Sequence, residues 1–518
     1  METSRKERIR KLLNFLSEPI FEKEEAMQLA LLSALAGESL FLLGPPGVAK
    51  SLLARRLKFA FQKGQAFEYL MNRFSTPDEI FGPISIKKLK DEDKYERITE
   101  QYLPSATVVF LDEIWKASAS IQNTLLTVLN EKIYRNGEQE MTLRLHGILA
   151  ASNELPPQNE GLEALWDRFL LRYIISEIKE NGNFIRLLTQ TQDVYADNIP
   201  DDLKISQEEI QSWQREIEEI ALPDEVLSTL QIVKSKLQQH DEQNPDLPFA
   251  IYDRRWKKIA RLLKTAAFLN GRKAVDLMDC FLLVHVLWND PAQIDFLRQT
   301  LSETIRKHGY TVALQISALK SEIFSLENEI ETETQVRYKS TKEELYPVER
   351  LYYQILNLES HLEGKYLKRA EFDKLEREEW QTVSIYDENF KMTYRIKAKR
   401  ALAENEIEIQ HNAQTLVLKM RTHQVEKDEI LYKAPHALLK KYWNEQITQI
   451  LAYIDKQLDF IDQNPPQDLQ HLDDNLFVPK SLSKIVRANL VDTINTLHEL
   501  RLQVEKMQHY YLSLENKK

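Results

Sequence analysis

The chain has 518 residues, 43% of them hydrophobic and 29% charged, with only 12 glycines and a formal net charge of −11; this excludes a disordered chain and points to several helix-rich domains. The acidic balance, with an isoelectric point near 5.7, excludes a general electrostatic attraction to nucleic acid. A single cysteine, Cys280, excludes a disulfide framework and reads as a small core residue.

The basic start METSRKERIRKLLNFL is followed by charged residues and not by an apolar leader core, so an amphipathic cytoplasmic helix is expected. No run of about 18 to 20 apolar residues occurs, and no transmembrane segment is expected. Residues 5–36 carry helical spacing, with Ala26, Leu29, Ala30, Leu32, Ser33 and Ala36 on a packed face. Phe21, inside this stretch, is placed either to lie against an adenine ring or to form a helix-end core contact.

The stretch LFLLGPPGVAKS, Leu40 to Ser51, runs strand, glycine turn, helix. A phosphate chain needs backbone N–H groups at a helix N-terminus, a lysine and a hydroxyl for Mg²⁺. Gly44, Gly47, Val48, Ala49, Lys50 and Ser51 offer these parts. Ala49 stands where the general pattern has glycine, and its Cβ narrows the backbone angles open to the loop.

Phe67 to Leu70 reads as a second strand, and residues 82–102 as a hairpin of two β-like pieces around Lys90–Lys94. In TVVFLDE, Thr107 to Glu113, a doubly buried strand ends in two carboxylates. There Asp112 is placed to orient Mg²⁺ and Glu113 to polarise an attacking water. After a helix over 120–131 comes a second hairpin around Asn136-Gly137, then the strand Gly147 to Ala151, which ends at Asn153. An asparagine there can bond the terminal phosphate or the attacking water, or simply cap the turn. Arg168 precedes a further strand, Leu171 to Ile175, and is either a surface charge or a group that reaches a neighbouring subunit's nucleotide. Residues 183–297 read as helical. Arg254, with Arg255 as the fallback, opens an amphipathic helix that can fold over bound phosphates.

Beyond Ser302, Val312, Ile316, Leu319, Ile323, Leu326 and Ile330 keep heptad spacing, and Leu351, Ile355, Leu358 and Leu362 repeat it. Period two takes over between 381 and 422, and helical spacing returns from Leu439, with a break at Asn464-Pro465-Pro466. The expected plan is an α/β core over 1–190, an α-helical lid over 191–305, a helical arm over 306–380, a small β module over 381–422 and a returning helical arm over 423–518.

GPPGVAKS, VVFLDE, the strand ending at Asn153, Arg168 and Arg254 follow one another in the order that resembles an AAA+ ATPase, a P-loop parallel sheet with an all-α lid. The two inserted hairpins resemble the MoxR branch. RFSTPDEIFGPISI, FLDEIWKAS, AASNELP and DRRWKK are similar to the regulatory ATPase variant A (RavA) family across about residues 21–290, and members of that family share the alanine of the P-loop. The resemblance implies ATP or ADP with Mg²⁺ held by Lys50, Ser51 and Asp112. It also implies Glu113 as catalytic base, Asn153 as sensor, Arg168 as arginine finger and Arg254 as lid sensor. The family likeness further implies a cytoplasmic homohexamer, a chaperone-type role with a von Willebrand factor A (VWA) domain partner of the ViaA kind, and work on respiratory enzymes or other complexes. Some members bind an inducible lysine decarboxylase through the β module. The alternative is a nucleotide-gated scaffold in which ATP drives assembly and hydrolysis is incidental. A DNA motor is disfavoured by the lack of a basic helical stripe.

Overall fold

A computed structural model describes residues 4–18, 20–157, 160–191, 193–313, 315–358, 364–412, 414–463 and 472–514. The chain forms two compact units, Met1–Ser321 with Ile450–Leu502, and Glu322–Gln449 with Gln503–Lys518. Among the described residues no helix is long and apolar enough to cross a membrane.

The first unit is built on five parallel strands, β1 (Ser39–Leu43), β2 (Ala66–Leu70), β3 (Val108–Asp112), β6 (Gly147–Ser152) and β7 (Leu171–Ile174), in the order β2-β3-β6-β1-β7. The hairpin strands β4 (Ile133–Asn136) and β5 (Gln139–Thr142) stand outside this sheet. β1 and β6 are buried at every position, which is why they read as unbroken apolar runs: helices cover both faces of a parallel sheet. Register is set by continuous pairing, Leu43 opposite Ser152 and Ile174, and Asp112 opposite Ala151 and Leu70. The ends of β1, β3 and β6 therefore lie side by side.

Helix α1 (Arg5–Ser17) starts at a Ser4 cap, and α2 (Glu24–Ala36) stops at Gly37, whose φ of 73° closes the helix in the left-handed region. α3 (Lys50–Leu57) follows the phosphate-loop turn. Longer helices follow the sheet: Gln207–Glu218, then Asp224–Gln243, Asp253–Leu269 and Ile294–Ala313 in the segment expected as the lid.

Two expectations fail locally. Residues 82–102 are not a simple hairpin: a single antiparallel bridge joins Ile84 to Arg97, and a helix, Ile86–Glu92, fills the space between. Ser85 accepts from the Lys88 N–H and caps that helix, a polar signal that outweighs the short β-like runs. The insert is stitched to the second hairpin by Asn136, which accepts from the Arg97 N–H at 2.6 Å and donates to the Arg97 carbonyl at 3.0 Å.

The helical arm expected over 306–380 ends at Thr334. From there β8 (Gln335–Leu345) pairs along its whole length with β16 (Thr422–Tyr432). Between them strands β9 (Pro347–Val348), β10 (Tyr352–Gln354), β11 (Tyr366–Lys368), β12 (Gln381–Tyr386), β13 (Met392–Arg400), β14 (Glu406–His411) and β15 (Gln414–Lys419) form one antiparallel sheet. The β module thus spans 335–432 and not 381–422. β8 misleads the sequence reading because no residue of the ribbon strand is buried, so it carries no apolar alternation. Leu351, assigned to a heptad, is 65% exposed; Leu362 and Asn464-Pro465-Pro466 lie outside the described residues. The sheet has its own core, centred on Leu367, Phe372, Ile385, Ile407 and Ile409. The helical parts of this unit pack through buried Trp443, whose indole donates to Glu329 at 2.9 Å and whose ring lies 5.4 Å from that of Tyr511. Ile316, Leu319, Ile323, Leu326 and Ile330 are all buried, as heptad spacing predicts.

Candidate functional site

The phosphate-loop turn leaves the carboxyl end of β1. Gly44 is required by contact: a Cβ there would lie 2.1 Å from the Ile175 carbonyl oxygen. Gly47 has φ +84°, a conformation open to glycine at little cost. Ala49 also adopts the left-handed region, φ 67° and ψ 25°, at the N-cap of α3. The loop therefore keeps the glycine-like geometry despite the methyl group, at a cost on the order of 1 kcal/mol. Val48 is buried, and Lys50, 6% exposed, turns back so that Nζ donates to the Gly44 carbonyl at 2.7 Å. Its ammonium is thus held over the turn where phosphate oxygens would lie, with Ser51 next to it in the first turn of α3. This arrangement fits a nucleotide phosphate chain.

Asp112 ends β3, and its Oδ1 accepts from the Glu113 N–H at 3.0 Å. Glu113 has φ 51°, and its carboxylate pairs with Lys116 at 3.1 Å. Asn153 is exposed and directly follows β6. Its strand lies between β1 and β3, and Ser152 accepts from the Gly44 N–H at 3.1 Å. Glycine turn, carboxylate pair and asparagine therefore share one edge of the sheet. Phe21 lies under the Arg186 guanidinium, 4.9 Å from ring centroid to carbon. The segment after β7 is anchored beside it, because Glu22 accepts from the N–H groups of Lys179 and Glu180, both at 2.9 Å.

Arg168 and Arg254 lie elsewhere. Arg168 precedes β7, so it belongs to the amino edge of the sheet, where its guanidinium pairs with Asp167 at 3.1 Å. Burial and the nearby Arg254 lower its pKa. Arg254 hydrogen-bonds Asn130 at the end of the helix Ala119–Glu131. One turn on, Lys258 pairs at 2.6 Å with Glu38, the residue before β1. The first turns of the lid helix thus cross the amino edge, and the five residues of β1, at about 3.3 Å each, hold them roughly 16 Å from the phosphate loop. Arg254 therefore stands at the opposite end of β1 from its own chain's phosphate loop. Arg255 is not a fallback: it is 5% exposed and donates to the Val286 carbonyl at 2.6 Å and the Leu170 carbonyl at 3.2 Å, and burial pushes its pKa down to about 10.

Sequence reading missed a second buried arginine. Arg172 is wholly buried within β7, its carbon 3.8 Å from the Trp166 ring centroid. It donates to the carbonyls of Trp288 and Trp166 and to Asn289, joining lid to sheet. A charged residue inside the apolar run FLLRYII was the available signal.

A family model described as the MoxR domain of MoxR-vWA-beta-propeller ternary systems matches residues 7–215, and one described as an AAA lid domain matches 225–301. The uncharacterized protein MJ0079 of Methanocaldococcus jannaschii is 35% identical over 323 residues, 62% of this chain and 80% of that protein. MJ0812 of the same organism is 39% identical over 286 residues, 55% of this chain and 72% of that protein. A solved structure from Cytophaga hutchinsonii ATCC 33406 superposes with a TM-score of 0.47 at 16% identity, over 58% of this chain and 94% of that one. With the MoxR and lid matches falling in order on the parallel sheet and its helical lid, the chain belongs to the MoxR-type AAA+ ATPase family.

Proposed function

We propose that the protein is an ATP-hydrolysing remodeller that works as a ring, a homohexamer in the RavA-like reading, with a VWA-domain partner. The observation that carries this reading is the division of the site between two edges of one sheet. Lys50 and the N–H groups of the turn bind the phosphate chain, and Ser51 and Asp112 would hold Mg²⁺, whose charge would offset that of the phosphates. Glu113 takes a proton from the attacking water once it leaves Lys116, and Asn153 orients that water. Arg168 and Arg254 are too far from this chain's own phosphate loop to act there, so both complete the site of the adjacent subunit. The MoxR-vWA name of the matching family model supports the choice of partner, and the β module of 335–432 is the arm that carries partners or clients.

Steady-state ATPase rate against protein concentration, with sedimentation in parallel, tests the reading. Specific activity should rise with assembly, and Arg168→Ala should assemble without hydrolysing. Equal activity of wild type and Arg168→Ala at every concentration would refute it.

A further inference from the structure

The amino edge of the sheet holds a second feature, which shares Arg254 with the proposed hydrolytic site but is built mainly from residues that hydrolysis does not use. A cavity of about 1020 Å³ opens between the lid helix Asp253–Leu269, the helix Gln207–Glu218 and the starts of β1 and β6. It is lined by six cationic side chains, Lys132, Arg254, Lys257, Lys258, Arg261 and Lys264, the last five a basic stripe on the lid helix contrary to the expectation of none, against two carboxylates, Glu38 and Glu218. Glu38 is already engaged by Lys258 at 2.6 Å, and Lys264 donates to the Glu218 main-chain carbonyl at 2.9 Å. His146 adds no charge at neutral pH, because burial lowers its pKa.

Lys132 is the informative member. It follows the helix Ala119–Glu131 in the left-handed region, φ 56°, an unusual conformation for a residue with a Cβ. Its ammonium nitrogen is shielded from solvent and makes no hydrogen bond to any described residue, and burial pushes its pKa down to about 8. A buried ammonium with no hydrogen bond, offset only by the charge of Glu38, is costly to keep, and an anion in the cavity would add to that offset. Lys257 and Arg261 lie one turn apart on the lid helix and are exposed, so they can close on the same ligand from the other wall.

We infer that this cavity binds a small oligophosphate anion, the phosphate chain of a nucleotide or a free polyphosphate, at a site distinct from the phosphate loop. The volume suits a nucleotide-sized molecule, and clustered lysine and arginine donors are the groups that hold multiply charged phosphate oxygens. Lid and sheet meet in the cavity, so the ligand would fix the lid against the core. The inference does not depend on hydrolysis or on the trans action of Arg168.

The test is calorimetric titration of inorganic tripolyphosphate into the full chain carrying Lys50→Ala, which removes the lysine of the phosphate loop. One saturable site per chain is expected. Its affinity should fall at least tenfold in the added double variant Lys257→Glu/Arg261→Glu, which alters only exposed positions, and also in Lys132→Met. A parallel ATP arm identifies the source: equal affinity means that the phosphates alone are read, tighter ATP binding that the nucleoside is read too. Loss of all binding on Lys50→Ala alone would overturn the inference. So would binding indifferent to Lys257→Glu/Arg261→Glu, including the case in which that variant merely blocks assembly and the cavity receives a neighbouring copy.

Discussion

The two edges of the five-stranded sheet differ in kind. At the carboxyl edge the groups are an open turn, a lysine, a hydroxyl, two carboxylates and an amide, all that is needed to hold a nucleotide and direct a water. At the amino edge stand the cations Arg168 and Arg254, the first paired with Asp167 and the second hydrogen-bonded to Asn130. In the function proposed above, one edge binds and activates and the other offsets developing negative charge. Neither is complete, and rigid strands keep them apart. Under that proposal the complete site exists only between copies, and assembly and turnover become one event.

Removing the charge at the amino edge should break that division most severely. Arg168→Ala is expected to lower kcat by about 10³- to 10⁵-fold while leaving ATP affinity and sedimentation unchanged; a loss of affinity alone would place Arg168 in its own chain's site. At the carboxyl edge, Glu113→Gln should lower turnover by about 10²- to 10⁴-fold with nucleotide binding intact, which equilibrium binding of a fluorescent nucleotide checks. Retained turnover would favour the scaffold alternative.

The join between lid and sheet rests on buried guanidinium groups. Arg172→Met removes the donor to two buried carbonyls and should cost about 3 kcal/mol, read from the denaturant midpoint of unfolding. The smallest effect is expected at the loop. Ala49→Gly relieves the left-handed strain but loosens the unfolded chain, for a net change under about 1 kcal/mol, with thermal melting as the measure.

The contrast also explains what could be read from sequence. Strands such as β1 and β6 are covered on both faces, and their apolar runs ending in Gly44 and Ser152-Asn153 were plain. The carboxyl-edge groups follow those strands directly, so chain order alone located them. The amino edge was less legible because its geometry depends on where the lid returns: the sequence does not say at which edge Arg254 stands, and Lys132 left no signal beyond a helix end. The ribbon β8–β16 was missed for the opposite reason. Its residues QVRYKSTKEEL have no buried face, and their pairing is marked only by cross-strand charges such as Lys342 with Glu429 at 2.7 Å. Where burial decides structure, periodicity reports it; where tertiary return or charge pairing decides, it does not.

The central claim, that the two edges serve different subunits, is tested most directly by mixing. Lys50→Ala damages only the carboxyl edge and Arg168→Ala only the amino edge, and each alone should be inactive. Co-assembled, they create interfaces that join an intact phosphate loop to an intact arginine. ATPase activity should then reappear on mixing, in proportion to co-assembly measured by sedimentation. Mixed assemblies that form but stay as inactive as either parent would contradict the account.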